Sequence, residues 1–579
     1  GKVRLDYLRG KNALEGTIFR LRNTLMGDVV NSQVVYSGKP TTTIRSSTYS
    51  TFATSINSLN SGKGRTPVVF VGANDGMLHA FAAATGKELF AYIPSWMGPK
   101  LSALTEPSYV NNHQSYVDGS PVVAEALVSQ SPDVWKTVLV AGTGAGGRGV
   151  FALDVTDPDA FSANKVMWEF TQADDKDMGY VVGRPQILKL RTNARNLSPA
   201  EYRWFAVVAS GVNNYTDDGA GNFSDTGAPA LFLMALDKAA GSAWSSTGSA
   251  PNYYKIMLPV NNTLKATMAP GLVNFSAALG TGGEVAQIYA GDLHGNLWKL
   301  DFELAVNGTV DWIMKDRLSP MNGSNPSPLY VAQDAVSPNP NRQPITMAPS
   351  LIQGDTRDST YVAFGTGKYL EAADKNSTKT QSIYTVFDDG TAKADSTDSN
   401  RLSLITGRDR LVASVTDTTT KLVTAPAFKW GRPKTAADTT QRSGWYFDLP
   451  NFGERQISNA ASVGDYLVFN SLIPGASGSA NTCTASGGSN VEYIFNVDKG
   501  GTSTVPKLSN TLTGEPLVMD LEGATTYSSQ DNTGRRIKTI VKQTLRNSAD
   551  GLEPTSKISI SVIAGRLSWR QINNYQDLK

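Results

Sequence analysis

Four side chains in one stretch have the types and spacing to hold a hard cation. The loop NNYTDDGAGNFSD, residues 213–225, puts Asp217 and Asp225 at the first and ninth positions of a calcium-loop spacing, with Asp218 and Asn222 between them. Such an ion takes six or more oxygens from a turning loop. Gly219 and Gly221 stand where two of those oxygens belong, so the pattern favours a solvated surface loop, with calcium as the alternative. A second acidic group, Asp174, Asp175 and Asp177 before Gly179, reads as a turn whose carboxylates bond nearby backbone N–H groups. GAGGRG at 144–149 has the glycines of a phosphate cradle but lacks its lysine and following helix. VFALDV continues it as a strand, so it is a hairpin turn. His79, His113 and His294 are scattered; His79 and His294 follow turn glycines at near-equivalent repeat positions, which predicts packing or hydrogen bonding. A two-histidine metal site would need a further carboxylate placed by the fold. The single cysteine, Cys483, cannot form an internal disulfide. No Ser/His/Asp set at recognisable spacing and no nucleophile elbow is present. No catalytic residue and no cofactor is expected.

The elements that carry these residues follow from composition. Of 579 residues, 40% are hydrophobic, enough for a sizeable core. Only 18% are charged, against roughly 25% in ordinary soluble domains. Fifty-three glycines and many Ser/Thr/Asn stretches make up the difference, a mixture suited to short strands joined by turns. Net charge is +2, and no basic run with interleaved aromatics occurs, so nucleic acid is not an expected partner. No apolar run is long enough to cross a bilayer as a helix. The chain opens GKVRLDYLRG without Met, in mid-pattern, and reads as a fragment.

A unit of strand, Gly-containing turn, strand and Asp recurs. Copies are VVFVGANDGMLHAFAAATGKEL (68–89), TVLVAGTGAGGRGVFALDVTDP (137–158), WFAVVASG with LFLMALDKAAG (204–241), AQIYAGDLHGNLWKLDF (286–302), TYVAFGTGKYL with SIYTVFDDG (360–390) and DYLVFNSLIPG with VEYIFNVDKGG (465–501). The turn after the first strand is assigned Gly72, Gly142, Gly211, Gly291 and Gly365. The second strand ends in Asp154, Asp237, Asp301, Asp388 and Asp498, each expected to accept turn N–H groups. A hairpin cannot bury both its faces alone, so regular repetition predicts units stacked on one another. The expected fold is all-β: a modified β-propeller of about seven blades, closed by strands from 29–38 and 560–569. It is read as one domain over 1–579, with lead-in and closing strands in 1–60, blades over 61–530, a polar excursion near 391–441 and a C-terminal closing segment at 531–579. Helix is expected to be scarce, with a short one within 96–109.

Nine motifs in order resemble the propeller of PilY/PilC-type pilus proteins: DYLRG (6–10), GDVVNS (27–32), VGANDGMLHAF (71–81), GAGGRGVFALDVTDP (144–158), DMGY (177–180), YAGDLHGNLWKLD (289–301), FGTGKYL (364–370), GWYFDLP (444–450) and GRLSWRQI (565–572). The resemblance implies a secreted protein whose N-terminal adhesive region is absent from this chain. It implies a non-enzymatic role in type IV pilus assembly, retraction control, twitching motility and adhesion to host-cell or abiotic surfaces. Implied partners are minor pilins and the pilus-tip complex; the implied location is the pilus tip, outside a Gram-negative cell, reached through the periplasm.

The resemblance also implies an acidic calcium loop just before the YAGD strand. Here that stretch, NFSAALGTGGEVAQ (274–287), carries only Glu284, with Asn274, Ser276 and Thr281 as neutral oxygens. One carboxylate does not offset dehydration of the ion, so the site reads as lost and folding without calcium there is expected. Two other classes stay open. NDGMLHAFAAATGKELF at 74–90 is similar to repeats of quinone-dependent propeller dehydrogenases, but only that copy matches and Phe90 stands where they carry Trp. A glycan-binding, lectin-like propeller would rest on Trp and Tyr residues in loops.

Overall fold

The computed structural model describes residues 1–40, 44–193, 197–248, 251–303, 317–322, 324–336, 339–354, 359–390, 407–433, 438, 440–475, 488–510, 513–521, 526–527, 536–548 and 551–564. Cys483, residues 391–406 of the polar stretch and GRLSWRQI at 565–572 lie outside them. The structure is mostly β, 41% strand and 12% helix, in two compact units.

Among the described residues the first unit, Gly1–Gln333 with Arg342–Ala348, holds four antiparallel sheets of four or more strands. In spatial order the first is Val35–Ser37, Val68–Gly72, Leu78–Ala82, Glu88–Tyr92; the second is Val122–Gln130, Asp133–Gly142, Gly149–Asp154, Val166–Thr171. The third runs Gln186–Arg191, Tyr202–Ala209, Ala230–Ala235, Tyr253–Met257. The fourth is built on Gly271–Leu279, Val285–Asp292 and Asn296–Asp301, with Gly211–Val212 at its edge. Period-two alternation explains the stacking, since successive side chains leave a strand on opposite faces. Val138, Val140, Val150 and Ala152 of the second sheet pack with Ala206, Val208, Phe232 and Met234 of the third. Their alternates Leu139, Ala141, Phe151 and Leu153 pack with Val68, Phe70, Leu78 and Ala80 of the first. Phe205, Val207, Leu231 and Leu233 in turn meet Phe275, Ile288 and Trp298 of the fourth. Both faces are covered, which is why these strands are continuous apolar runs. Each large side chain so buried contributes about 1.5–3 kcal/mol.

The second unit comprises Asp334–Asn341, Pro349–Gly390 and the described residues from 407 onward. One sheet is built on Ser350–Gln353, Thr360–Gly365, Ser382–Asp388 and Gly444–Asp448, another on Ala461–Val463, Tyr466–Leu472 and Asn490–Asn496. Ile383, Trp445 and Phe447 of one pack against Phe469, Tyr493 and Phe495 of the other. A last sheet contains the long hairpin Arg536–Ser548 and Gly551–Ala564.

Several expectations are revised. The repeat glycines are not the turn glycines. Gly72, Gly142 and Gly365 end their strands and Gly291 is next to last in its own, and none of the four has a left-handed φ. Positive φ falls instead on Gly76, Gly144, Gly295 and Gly367. The repeat glycines are required by close approach. A Cβ at Gly72 would lie 2.3 Å from the Val117 carbonyl oxygen; at Gly142, 2.9 Å from Val181; at Gly291, 2.1 Å from Ile345; at Gly365, 1.8 Å from Gln456. These four partners sit the same distance in sequence before Val122, Gln186, Ser350 and Ala461, each of which opens a strand of the following sheet. Gly211 differs: φ is +77°, and a Cβ would lie 1.8 Å from Tyr180 O.

The aspartates divide as well. Asp154, Asp301 and Asp388 end their strands and accept the N–H two residues on, at 3.1, 2.8 and 3.0 Å. Asp237 and Asp498 lie just past theirs; Asp237 pairs with Arg203 at 2.8 Å, and Asp498 accepts the Trp430 indole N–H at 2.9 Å. No described sheet holds both terminal strands: Val35–Ser37 pairs with Val68–Gly72, and Gly551–Ala564 with Arg536–Ser548. Within the stretch read as a polar excursion, Val412–Thr416 is a strand parallel to Gly444–Asp448, and Val412 and Val423 are buried. Residues 96–109 hold short 3₁₀ turns rather than an α-helix. The lead-in contains a helix, Ser47–Asn57, capped by the Ser46 hydroxyl and burying Tyr49, Ala53 and Ile56 at helical spacing. The hydrophobic side of that helix, Tyr49 above all, meets Trp135 edge-on at 5.1 Å.

The close approach predicts that Gly72→Ala lowers stability by more than about 2 kcal/mol, because the carbonyl it would strike is backbone. Gly98→Ala, whose Cβ would meet nothing within 4 Å, is the control and should be near neutral. Equal urea midpoints for the two variants would contradict the packing role.

Candidate functional site

In the loop 213–225, the carboxylates serve the loop's own backbone. Asp217 Oδ1 accepts the N–H groups of Gly219 (2.9 Å) and Gly221 (3.1 Å). Asp218 Oδ1 accepts those of Ala220 (2.8 Å) and Asn222 (3.1 Å). Asp218 Oδ2 takes the side-chain amides of Gln172 (2.6 Å) and Asn222 (3.2 Å). The Ala220 and Asn222 bonds hold the Asp218 carboxyl below its ordinary value, outweighing slight desolvation. Asp225 is exposed beyond the turn. The glycines at 219 and 221, both with positive φ, let the loop curl so that its N–H groups point at the carboxylates.

The stretch 274–287 is a tight hairpin joining Gly271–Leu279 to Val285–Asp292. Gly280 N–H donates to Glu284 O at 2.7 Å, and Gly283 N–H to Gly280 O at 3.0 Å. Glu284 folds over the glycines of its own turn, Lys189 donates to the Gly282 carbonyl, and Asn274 Nδ2 is committed to Thr346 O at 2.9 Å. One carboxylate on a closed five-residue turn does not make a calcium donor set. Among the described residues no three His, Cys, Asp or Glu side chains are grouped to hold a metal.

Asp174, Asp175 and Asp177 do more than close a turn. Asp174 Oδ2 accepts Thr171 N–H (2.8 Å) and Asp175 Oδ1 accepts Asp177 N–H (3.0 Å), as a turn requires. Asp175 and Asp177 also clamp Lys255 Nζ, at 2.9 and 2.6 Å. Burial lowers the Lys255 pKa, but the two carboxylates outweigh it and the net shift is upward. Lys255 was not singled out in the sequence; its place in the strand Tyr253–Met257, between apolar neighbours, is the only signal. GAGGRG is the hairpin turn between Asp133–Gly142 and Gly149–Asp154, anchored by Lys100 Nζ on the Gly146 carbonyl at 2.7 Å.

The histidines are not equivalent. His79 lies in the strand Leu78–Ala82, whereas His294 sits in the turn before Gly295 and bonds Met268 O at 2.8 Å. Gly72 pairs with Leu78 as Gly291 pairs with Leu297, so the counterpart of His79 is Trp298. Both rings reach a turn carboxylate: His79 Nε2 lies 3.1 Å from Asp75 and Trp298 Nε1 is 2.8 Å from Asp292. His79 Nδ1 is held by Glu88 at 2.7 Å. His113 bonds Asp28 at 3.0 Å on the surface. No histidine is poised as a free base.

These sheets match a known architecture. The family model described as the PilY1 beta-propeller domain matches residues 26–419. The chain belongs to the PilY1 β-propeller family. It is 30% identical over 98% of its length to a type IV pilus biogenesis factor PilY1 homolog of Xylella fastidiosa, and 32% identical over 86% to the PilY1 of Pseudomonas aeruginosa strain PAK. It covers 38% and 41% of those proteins, so it spans about two fifths of their length. The crystal structure of the Pseudomonas aeruginosa PilY1 C-terminal domain superposes with a TM-score of 0.55 at 26% identity, covering 88% of this chain and 95% of that one. Within this PilY1-like frame, the hairpin at 274–287 occupies the place where the resemblance implied a calcium loop.

The His79 contacts carry a pH dependence. Burial lowers its pKa, but Asp75 and Glu88 outweigh it, so the folded value is raised above 6.5. Its contribution is then fully present below pH 6.5 and lost as pH rises through the higher folded value. The urea midpoint should fall across that window in the native chain, and His79→Gln should remove that part of the slope. An unchanged slope in the variant would refute the linkage.

Proposed function

We propose that the chain is the propeller part of a secreted, non-enzymatic type IV pilus biogenesis factor. In this reading it supports pilus assembly, retraction control, twitching motility and adhesion of the pilus tip to host-cell or abiotic surfaces. Minor pilins and the tip complex are its partners, and it works outside a Gram-negative cell after passing through the periplasm. The observation that carries the reading is the extent of the match: 30–32% identity over 82–98% of the chain to proteins named as type IV pilus biogenesis factors. No described helix is long and apolar enough to cross a membrane. The reading includes about seven propeller blades over 1–579, taken as one domain. Stacked meanders covered on both faces support that architecture.

Deleting the coding segment for this chain in frame should abolish surface pili and twitching, and restoring it should recover both. Normal piliation and motility after deletion would refute the reading.

We also propose that the chain folds without calcium at 274–287. Titration of chelator-stripped protein should show no binding tighter than about 10 μM, outside the range of sensor sites. Submicromolar binding abolished by Glu284→Gln would overturn this; loss with Asp217→Ala instead would place the ion in the 213–225 loop.

A further inference from the structure

A groove of ≈ 500 Å³ opens in the first unit, lined by Trp168, Trp244, Glu169, Asp174, Lys238 and Ser242. That volume falls within the range of small-molecule sites, about 300–1,000 Å³. Trp168 comes from an outer strand of the second sheet, and Trp244 from the loop between Ala230–Ala235 and Tyr253–Met257 of the third. Trp244 is fixed. Its indole N–H donates to Glu169 O at 2.7 Å, and its ring meets Phe170, Trp168 and Tyr253 edge-on at 5.0, 5.3 and 6.1 Å. An aromatic wall held this rigidly costs a ligand little ordering entropy.

The charges beside that wall are not satisfied by each other. Lys238 Nζ lies 4.7 Å from the Trp244 ring centroid. Its one hydrogen bond is a long 3.5 Å contact to Ala239 O, and among the described residues it makes no ion pair. Desolvation lowers its pKa, against the opposing pull of Asp174. Asp174 is exposed and engages Thr171 through Oδ2, leaving Oδ1 open to solvent-side ligands. An ammonium donor and a carboxylate acceptor thus flank an indole-lined trough.

We propose that this groove binds a saccharide, with hydroxyl groups bridging Lys238 and Asp174 and a C–H face of the sugar ring against the Trp244 side. The inference rests on the adhesive part of the proposed function and is independent of the assembly part. The chemistry selects the ligand class. An apolar ligand would strand both charges. A simple anion would meet the Asp174 carboxylate, and a simple cation the Lys238 ammonium. A pyranose offers vicinal hydroxyls that both donate and accept, next to an apolar ring face. A zwitterionic peptide terminus is the other species with donors and acceptors together.

The test is an immobilised oligosaccharide array probed with the purified chain, followed by calorimetric titration with the best-bound sugar. Asp174→Asn and Lys238→Met should each weaken binding at least about tenfold, or 1.4 kcal/mol. Their thermal midpoints should stay within a degree or so of the native chain, because surface substitutions away from packed features have small effects. Absence of any bound oligosaccharide, or binding that survives both substitutions, would overturn the proposal. So would displacement of the array signal by dialanine but not by free sugar. Pili and twitching should be intact in both variants. Failure of sugar binding therefore sinks this inference alone, while the deletion experiment bears on the assembly reading alone.

Discussion

The architecture depends on close approach to a strand glycine, by a backbone carbonyl at Gly72 and foremost by side-chain atoms of Val181, Ile345 and Gln456 at Gly142, Gly291 and Gly365. At Gly72 and Gly142, and again at Gly291 and Gly365, a strand is crossed at its end by the chain on its way into the following sheet. That chain lies where a Cβ would be. Any side chain would push the incoming segment away and with it the strand that follows a few residues later. The sheets can stack at close-packed density only because this crossing is tight, and burial of apolar surface on both faces follows from it. The energy lies in the core side chains; the glycines decide whether those side chains can meet.

Stacking on both faces has an electrostatic corollary. With strand interiors apolar, polar side chains collect at strand ends and in loops, where each must find a partner or face water. Asp154, Asp301 and Asp388 take turn N–H groups, Asp237 takes Arg203, and Lys255 is held between Asp175 and Asp177. Most charged groups beside the sheets are spent in this way. Lys238 stands out because it makes no ion pair among the described residues, and Asp174 because only its Oδ2 is engaged; they flank an aromatic wall that is itself locked. A rigid scaffold presenting a few uncommitted groups in its loops is the usual arrangement for recognition.

The acidic loops show how little a spacing pattern says about chemistry. Asp217 to Asp225 has the interval of a calcium loop, yet the glycines at 219 and 221 let the backbone turn its own N–H groups onto Asp217 and Asp218. The hairpin at 280–284 is closed by its own hydrogen bonds, leaving Glu284 as a lone carboxylate. In both places local backbone geometry, set by glycine, brings the loop's own polar groups together.

Strand after strand of β-branched and aromatic residues, with Gly and Asp recurring in successive units, determined the all-β class and the stacked repeat, and the motifs in their order carried the resemblance to the family. Those features are local, so they are legible in one dimension. Which role each marker plays was not. The repeat glycines read as turn formers because glycine serves turns and close approaches equally well; only the crossing chain at Val117, Val181, Ile345 and Gln456 tells them apart. His79 and His294 looked equivalent in sequence, but strand register matched His79 with Trp298. The helix Ser47–Asn57 and the strand Val412–Thr416 come from polar, weakly patterned stretches whose few apolar residues gain their meaning from distant partners. Lys255 and the Trp168–Trp244 groove likewise join segments dozens of residues apart. Contacts of that kind are set by how sheets pack, and tertiary structure alone decides them.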